Sequence, residues 1–179
     1  MNPTLERVSE RLSQLVGLTA VPTQPPAPAG PGTVAGTTPA PAPVAPPSGP
    51  IEAFDHSLKG YDLNVSVAPG QVVLAARILD NEGFAIDAVT GIDWIAQGEM
   101  EVVYDFFHPT AAARVAVRTR IPRDEPELPT ISSIFPGANW HERETHDFFG
   151  IRFAGHPNLA PFLLPEDADF HPLRKDYQP

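Results

Sequence analysis

The sequence predicts an α+β domain of two layers, with a mixed four-stranded sheet, helices on one face, an extended C-terminal tail and a disordered Pro/Ala-rich N-terminal linker. Three observations lead there. Four segments between 61 and 121 read as strands, by alternation or by the turn residues that bound them. Segments with helical spacing lie before the second strand and after the last. Most of the 23 prolines fall outside this stretch, in the linker and the tail.

Taken in order, Leu5, Val8, Leu12, Leu15 and Val16 recur at steps of three and four. That predicts a short amphipathic helix within 1–18, opened by Pro3 and Thr4 and closed near Gly17. A helix of this length is marginal alone, so it is either a frayed end or a small docking element that lays its apolar stripe on another surface. Residues 19–50 read as a linker. From Pro22 to Pro50 there is no aromatic and no charged residue, so too little apolar area can be buried to offset the entropy of ordering it. Its prolines favour polyproline II, which at roughly 3.1 Å per residue reaches on the order of 90 Å when stretched.

The α+β domain is expected over 51–152. Tyr61, Leu63, Val65 and Val67 alternate with Asp62, Asn64 and Ser66, predicting a strand that Pro69 and Gly70 break. Val72, Ala75, Ala76 and Leu79 then give a helix over Gln71 to Asn81, stopped by Gly83. Phe84 to Trp94, Met100 to Phe107 and Ala113 to Ile121 are the remaining strands, the last two joined through His108, Pro109 and Thr110. Val115, Val117, Thr119 and Ile121 oppose Arg114, Arg118 and Arg120 along the last one, so the sheet should have one covered and one polar face. A loop rich in charge and proline, Pro122 to Pro129, leads to a helix over Ala138 to Phe149 ended by Gly150.

Composition excludes several functions. A formal charge of -10 argues against a nucleic-acid groove, which needs clustered Lys and Arg. The chain has no cysteine, so it holds neither disulfides nor cysteine-ligated iron-sulfur clusters. No stretch approaches the roughly 20 apolar residues of a membrane span, and the N-terminus lacks a signal core. A peripheral protein on the cytoplasmic side of the cell membrane, held there through partners, is the expectation.

The segment from Asn139 to Tyr177 packs charge, aromatics and proline together most closely. On its helix, at about 100° per residue, Trp140, Glu144, Phe148 and Ile151 share a face while Phe149 points nearly opposite. Apolar groups on opposed faces, with charges at Glu142, Arg143, Glu144 and Asp147, suit a helix held between its own sheet and a partner. Arg143 and Asp147 are four apart and able to pair, and Glu142 and Glu144 could receive Arg152, Arg174 or a partner's base. After Gly150, prolines at 157, 161, 165, 172 and 179 preclude long helices, so 153–179 should run extended. Phe153, Leu159, Phe162, Leu163, Leu164, Leu173 and Tyr177 would dock it on a surface, most naturally that of a neighbouring protein.

A zinc site is the rival chemistry, because His141, Glu142 and His146 superficially resemble His-Glu-x-x-His. Five residues turn a helix by about 500°, however, which leaves these histidines roughly 140° apart. His156 and His171 each precede a proline and read as hydrogen-bonded positioning groups. An independent hydrolase or metalloenzyme finds no nucleophile elbow, phosphate loop or correctly spaced ligand set. No catalytic, cofactor or metal residue is therefore assigned.

Four linked blocks carry a resemblance: Glu142-Arg143-Glu144-x-x-Asp147 followed by Phe148 and Phe149, Gly-His-Pro-x-Leu from Gly155, Leu-Leu-Pro-Glu-Asp from Leu163, and His-Pro-Leu-Arg-Lys-Asp-Tyr from His171. In this order and spacing they resemble the 30-kDa subunit family of respiratory complex I, the proton-pumping NADH:quinone oxidoreductase. The resemblance implies the same α+β fold and a scaffold role among the other peripheral-arm subunits, especially the 49-kDa-type and the cluster-bearing quinone-site subunits, with FMN and iron-sulfur clusters held by partner subunits rather than by this chain. It implies a partner interface at Glu142, Arg143, Glu144, Asp147, His156, Arg174, Lys175 and Asp176. Membrane-bound energy-converting NiFe hydrogenases, including formate hydrogenlyase, have a similar component. This chain departs from the respiratory pattern in having Ala160 and Pro161 where arginines are usual, and His146 where an aromatic is common.

Overall fold

The computed structural model describes residues 2–17 and 50–178; apart from Pro50, the linker expected over 19–50 lies outside the described residues. A mixed sheet forms the frame. Its strands are β1 (Ile51–Ala53), β2 (Leu63–Ser66), β3 (Ala85–Trp94), β4 (Glu99–His108) and β5 (Ala113–Pro122), in the order β1-β2-β5-β4-β3. β2 and β5 run parallel, with Leu63 opposite Val115, and the other pairings are antiparallel. The sheet thus has five strands rather than four. The added strand, β1, is three residues at the edge, too short for alternation to show in sequence.

Helices α1 (Pro3–Gly17), α3 (Val72–Asn81) and α4 (Ala138–Phe149) accompany the sheet, and a one-turn helix α2 (His56–Lys59) joins β1 to β2. Register assigns the sheet's covered face. Val65 lies opposite Val117, Tyr104 opposite Val117 from the other side, and Val89 opposite Tyr104, so one face collects Leu63, Val65, Val115, Val117, Met100, Val102, Tyr104 and Val89. All are buried and form one core with the helices. The opposite face is polar, as the arginine alternation predicts. Arg118 donates to Asn64 and lies 3.4 Å from Glu101, and Arg120 donates to Glu99 at 2.9 Å while its guanidinium covers Trp94.

The first helix is not a frayed end. Leu5, Val8 and Leu12 are buried in the core beside α3. Gln71 donates to the Leu15 carbonyl at 2.8 Å, and Arg7 and Arg11 both reach Glu82. The surface that receives this stripe is the chain's own domain, where α1 packs on α3 and on strands β1 and β2.

The loop predicted between sheet and signature helix contains β6 (Glu127–Pro129), which pairs in parallel with β7 (Arg152–Ala154) in a small second sheet. Arg152 pairs there with Glu127, not with Glu142 or Glu144. Phe153, expected to dock on a neighbour, is 2% exposed in the core. Beyond Gly155 the described residues form turns and irregular backbone, in keeping with the prolines.

Candidate functional site

The junction of α4 with the C-terminal tail gathers the signature residues. α4 lies on β3 because Gly91 offers no side chain: a Cβ there would stand 2.6 Å from the Phe149 ring. Thr145 Oγ1 lies 2.8 Å from the His141 carbonyl and 3.2 Å from the Val89 carbonyl, tying helix to strand. Gly150 ends the helix in the left-handed region at φ 73°, where a side chain would also meet His171 and Arg174.

From this seat, α4 holds the tail through its charges. Asp147 Oδ2 accepts the backbone N–H groups of Phe162, Leu163 and Leu164 at 2.8, 2.7 and 3.2 Å. Burial pushes the Asp147 carboxyl up, but these three donors outweigh it and hold the group below its ordinary value. Arg143 donates from Nε to the Ala160 carbonyl at 2.9 Å and from its terminal nitrogen to the Pro161 carbonyl at 2.8 Å. The expected Arg143–Asp147 pair is not made, since each grips a different part of the tail. Because Arg143 is met by backbone carbonyls, the departures at Ala160 and Pro161 leave these two bonds intact.

Glu142 is wholly buried and accepts from the Ile131 N–H at 2.8 Å and the Thr130 hydroxyl at 2.5 Å. His156 Nε2 stands 3.8 Å from its carboxylate. Neither Arg152 nor Arg174 reaches it. Arg174 donates to the Phe149 carbonyl at 2.7 Å, and His171 donates from Nδ1 to the Asp147 carbonyl at 2.8 Å, so the helix's last carbonyls are capped by the tail. His146 gives Nδ1–H to the Ile151 carbonyl at 2.9 Å. Glu144 is half-buried with no ion pair among the described residues.

A second clamp was not read from the sequence. Asp93, at 2% exposure, accepts a bidentate pair from Arg123 at 2.8 and 3.1 Å and the Lys175 N–H at 2.8 Å. Arg123 also meets Asp176, and the Lys175 ammonium lies 5.9 Å from the Trp94 ring. The Arg123 hydrogen bond holds the Asp93 carboxyl below its usual range against the effect of burial, and the same pair raises Arg123. A signal existed: Asp93 has the strand parity of Val89 and Gly91, where an apolar residue belongs.

Two surface features remain. Trp140, Phe162 and Leu163 are exposed large apolar residues, the two rings 5.0 Å apart with the Arg143 guanidinium over both. Hollows of about 40 Å³ beside His146, Asp147 and His171 and about 210 Å³ beside Asn2, Phe54 and Asp62 are smaller than the roughly 300–1,000 Å³ of ligand pockets.

Fold and junction together define the class: a two-layer α+β protein whose charged helix is fastened to its own C-terminal tail. The family pattern described as respiratory-chain NADH dehydrogenase, 30 Kd subunit, matches residues 65–179, and the chain belongs to that family. It is 39% identical over 120 residues to the C subunit of NADH-quinone oxidoreductase from Roseiflexus sp. (strain RS-1), covering 64% of this chain and 69% of that protein. It is 41% identical over 95 residues to the C subunit of F(420)H(2) dehydrogenase from Methanosarcina mazei, covering 51% of this chain and 58% of that one. Among solved structures, a chain of the membrane-bound sulfane sulfur reductase, an archaeal respiratory membrane complex, superposes with a TM-score of 0.60 at 31% identity, covering 65% and 71% of the two chains. The trypsin-resistant fragment of Nqo5 superposes at 0.50 with 28% identity, covering 57% of this chain and 92% of the fragment.

Proposed function

We propose that this chain is a non-catalytic hydrophilic subunit of the peripheral arm of a proton-pumping NADH:quinone oxidoreductase of the complex I type, needed to assemble the quinone-reducing module. The observation that carries this reading, beside family membership, is the exposed Trp140–Phe162–Leu163 patch on a helix and tail already locked together. Arg143 stacks on both rings and bonds only to carbonyls, so its charge has no carboxylate partner among the described residues. A rigid apolar patch with an uncompensated guanidinium suits a permanent neighbour that brings apolar surface and a carboxylate.

On this reading the expected interface divides by task. Arg143, Glu144, Lys175 and Asp176 lie where a partner can reach them, while Glu142, Asp147, His156 and Arg174 fix the junction from within. FMN and iron-sulfur clusters belong to the partners, among them the 49-kDa-type and cluster-bearing quinone-site subunits. The chain sits peripherally on the cytoplasmic side of the cell membrane through those partners.

A second reading makes it the equivalent component of an energy-converting NiFe hydrogenase or formate hydrogenlyase. Relatives named for F(420)H(2) and sulfane sulfur take this type of subunit beyond NADH and quinone, which makes room for that reading. Purification of this chain from gently solubilised membranes tests both. Recovery in a large iron-sulfur assembly with NADH:quinone activity supports the first, and hydrogen evolution by that assembly supports the second. Recovery as a free monomer would defeat both. Trp140→Ala with Phe162→Ala should deplete the assembly while leaving the isolated chain's melting temperature within a few degrees, as for about 0.5 kcal/mol at exposed positions.

A further inference from the structure

Glu142 has no exposed surface, and among the described residues no element around it supplies a cation. From the segment after β6 come the Thr130 hydroxyl and the Ile131 N–H. β4 contributes the Tyr104 hydroxyl, which is buried without a hydrogen-bond partner among the described residues and feels the Glu142 charge. On α4, Arg143 turns away to Ala160 and Pro161, and His146 gives its Nδ1 hydrogen to Ile151.

From the turn after β7 comes His156, and its hydrogen bonds fix its state. Nδ1 accepts the Asn158 N–H at 3.1 Å and so carries no hydrogen; the ring proton is on Nε2, 3.2 Å from the Asn139 carbonyl. The imidazole is therefore neutral. Burial works in the same direction, pushing His156 below its usual value. An ionised Glu142 would rest in a closed site on two donors and no counter-charge, which is unfavourable for a carboxylate. Burial accordingly raises its carboxyl to about 7, against the opposing pull of Thr130 and Ile131.

We infer that Glu142 is a proton-binding site at the junction of helix and tail, and that its proton selects between two arrangements of the Glu142–Thr130–Ser132 chain. With Glu142 ionised, the Thr130 hydroxyl donates to Oε2. With Glu142 neutral, a proton taken from solvent as the site closes gives an O–H that donates to Thr130 Oγ1, and the Thr130 hydrogen turns to Ser132 Oγ, 2.8 Å away. The Ser132 N–H donates to Thr130 Oγ1 at 3.1 Å in both. One proton is taken up, one O–H bond forms on Glu142, and apart from the turned hydrogen bonds nothing else changes. The site is complete within this chain, whatever complex the chain joins.

Carboxyl-carbon NMR of the full chain, titrated from about pH 4 to pH 9 with Glu142→Gln for assignment, tests this directly. Glu142 is expected to titrate near 7, apart from exposed glutamates at about 4.3. Titration with the rest would overturn the inference.

Stability gives a second readout with a definite sign. The folded chain holds a proton on Glu142 that the unfolded chain has lost, so this group's contribution is full below the ordinary value of 4.5 and is lost as pH rises to about 7. The folding constant of the wild type should fall about 300-fold relative to Glu142→Gln across that window. His156, depressed on folding, acts with the opposite sign, but it is present in both proteins and cancels in the ratio. A flat ratio would overturn the inference; if Glu142→Gln does not fold, the wild-type titration decides. His156→Gln should leave Glu142 near 7, whereas a rise of a unit or more would reveal a paired imidazolium and refute the neutral assignment.

Discussion

Replacing Asp147 by alanine removes one oxygen on which three backbone donors converge. A hydrogen bond to a charged group contributes about 1.5–3 kcal/mol, and because these three share Oδ2 they do not add fully, so a loss of about 3–5 kcal/mol in tail seating is expected. The readout is amide hydrogen exchange at Phe162, Leu163 and Leu164, where a loss of about 3 kcal/mol accelerates exchange by about 150-fold. Core amides on β4 and β5 should change much less, since the tail can open without the sheet. Asp147→Asn keeps an acceptor without the charge and should retain about half of the effect. The pH profile follows from the direction of the shift. Because the Asp147 carboxyl is held below its ordinary 3.8, its contribution is present above that value and lost as pH falls through the lower folded one. Protection of the three amides should therefore stay level from neutral pH to about 5 and collapse only in acid. Wild-type exchange rates in Asp147→Ala would refute the clamp.

Three further outcomes are expected. Gly91→Ala drives a methyl into the Phe149 ring and should cost about 1–3 kcal/mol in chemical denaturation, with Phe149→Leu relieving part of it. Arg123→Ala leaves the buried Asp93 carboxylate with only the Lys175 N–H, so a loss of about 3–5 kcal/mol is expected, and Arg123→Lys should not restore the bidentate pair. Leu12→Ala should destabilise the whole domain by about 2–5 kcal/mol in thermal melts, because this side chain is fully buried; an unchanged melt would mean that α1 does not dock.

The sheet was legible where alternation was long. The ten-residue strand β5 follows from its alternation, β4 from the turn through His108, Pro109 and Thr110 that bounds it, and the end of α4 from Gly150. β1 and β6 were not legible, since three residues carry no period and Pro129 argues against a strand. The docking of α1 was half legible: its stripe was plain, but nothing local says that the groove beside α3 belongs to the same chain. The junction failed in a more instructive way. Spacing brings Arg143 and Asp147 together, yet both prefer backbone groups of the tail, a competition that no i,i+4 rule contains. Asp93 and Thr130 were missed because Arg123, Lys175 and Glu142 lie well along the chain from them, and Tyr104 because its hydroxyl has no hydrogen-bond partner among the described residues.

The parallel pairing of β2 with β5 imposes an order on folding. β3, β4 and β5 form a meander of near neighbours, whereas Leu63 must wait for Val115 before it has a partner on that side. Loop closure delays such distant contacts, so the meander is the expected nucleus, and α1, β1 and β2 add to its finished edge. During synthesis β2 is made well before β5, so Leu63 is without its Val115 partner meanwhile. The tail closes last, on Asp147 and Asp93, so a chain cut before residue 160 would keep its sheet beside an unfastened signature helix.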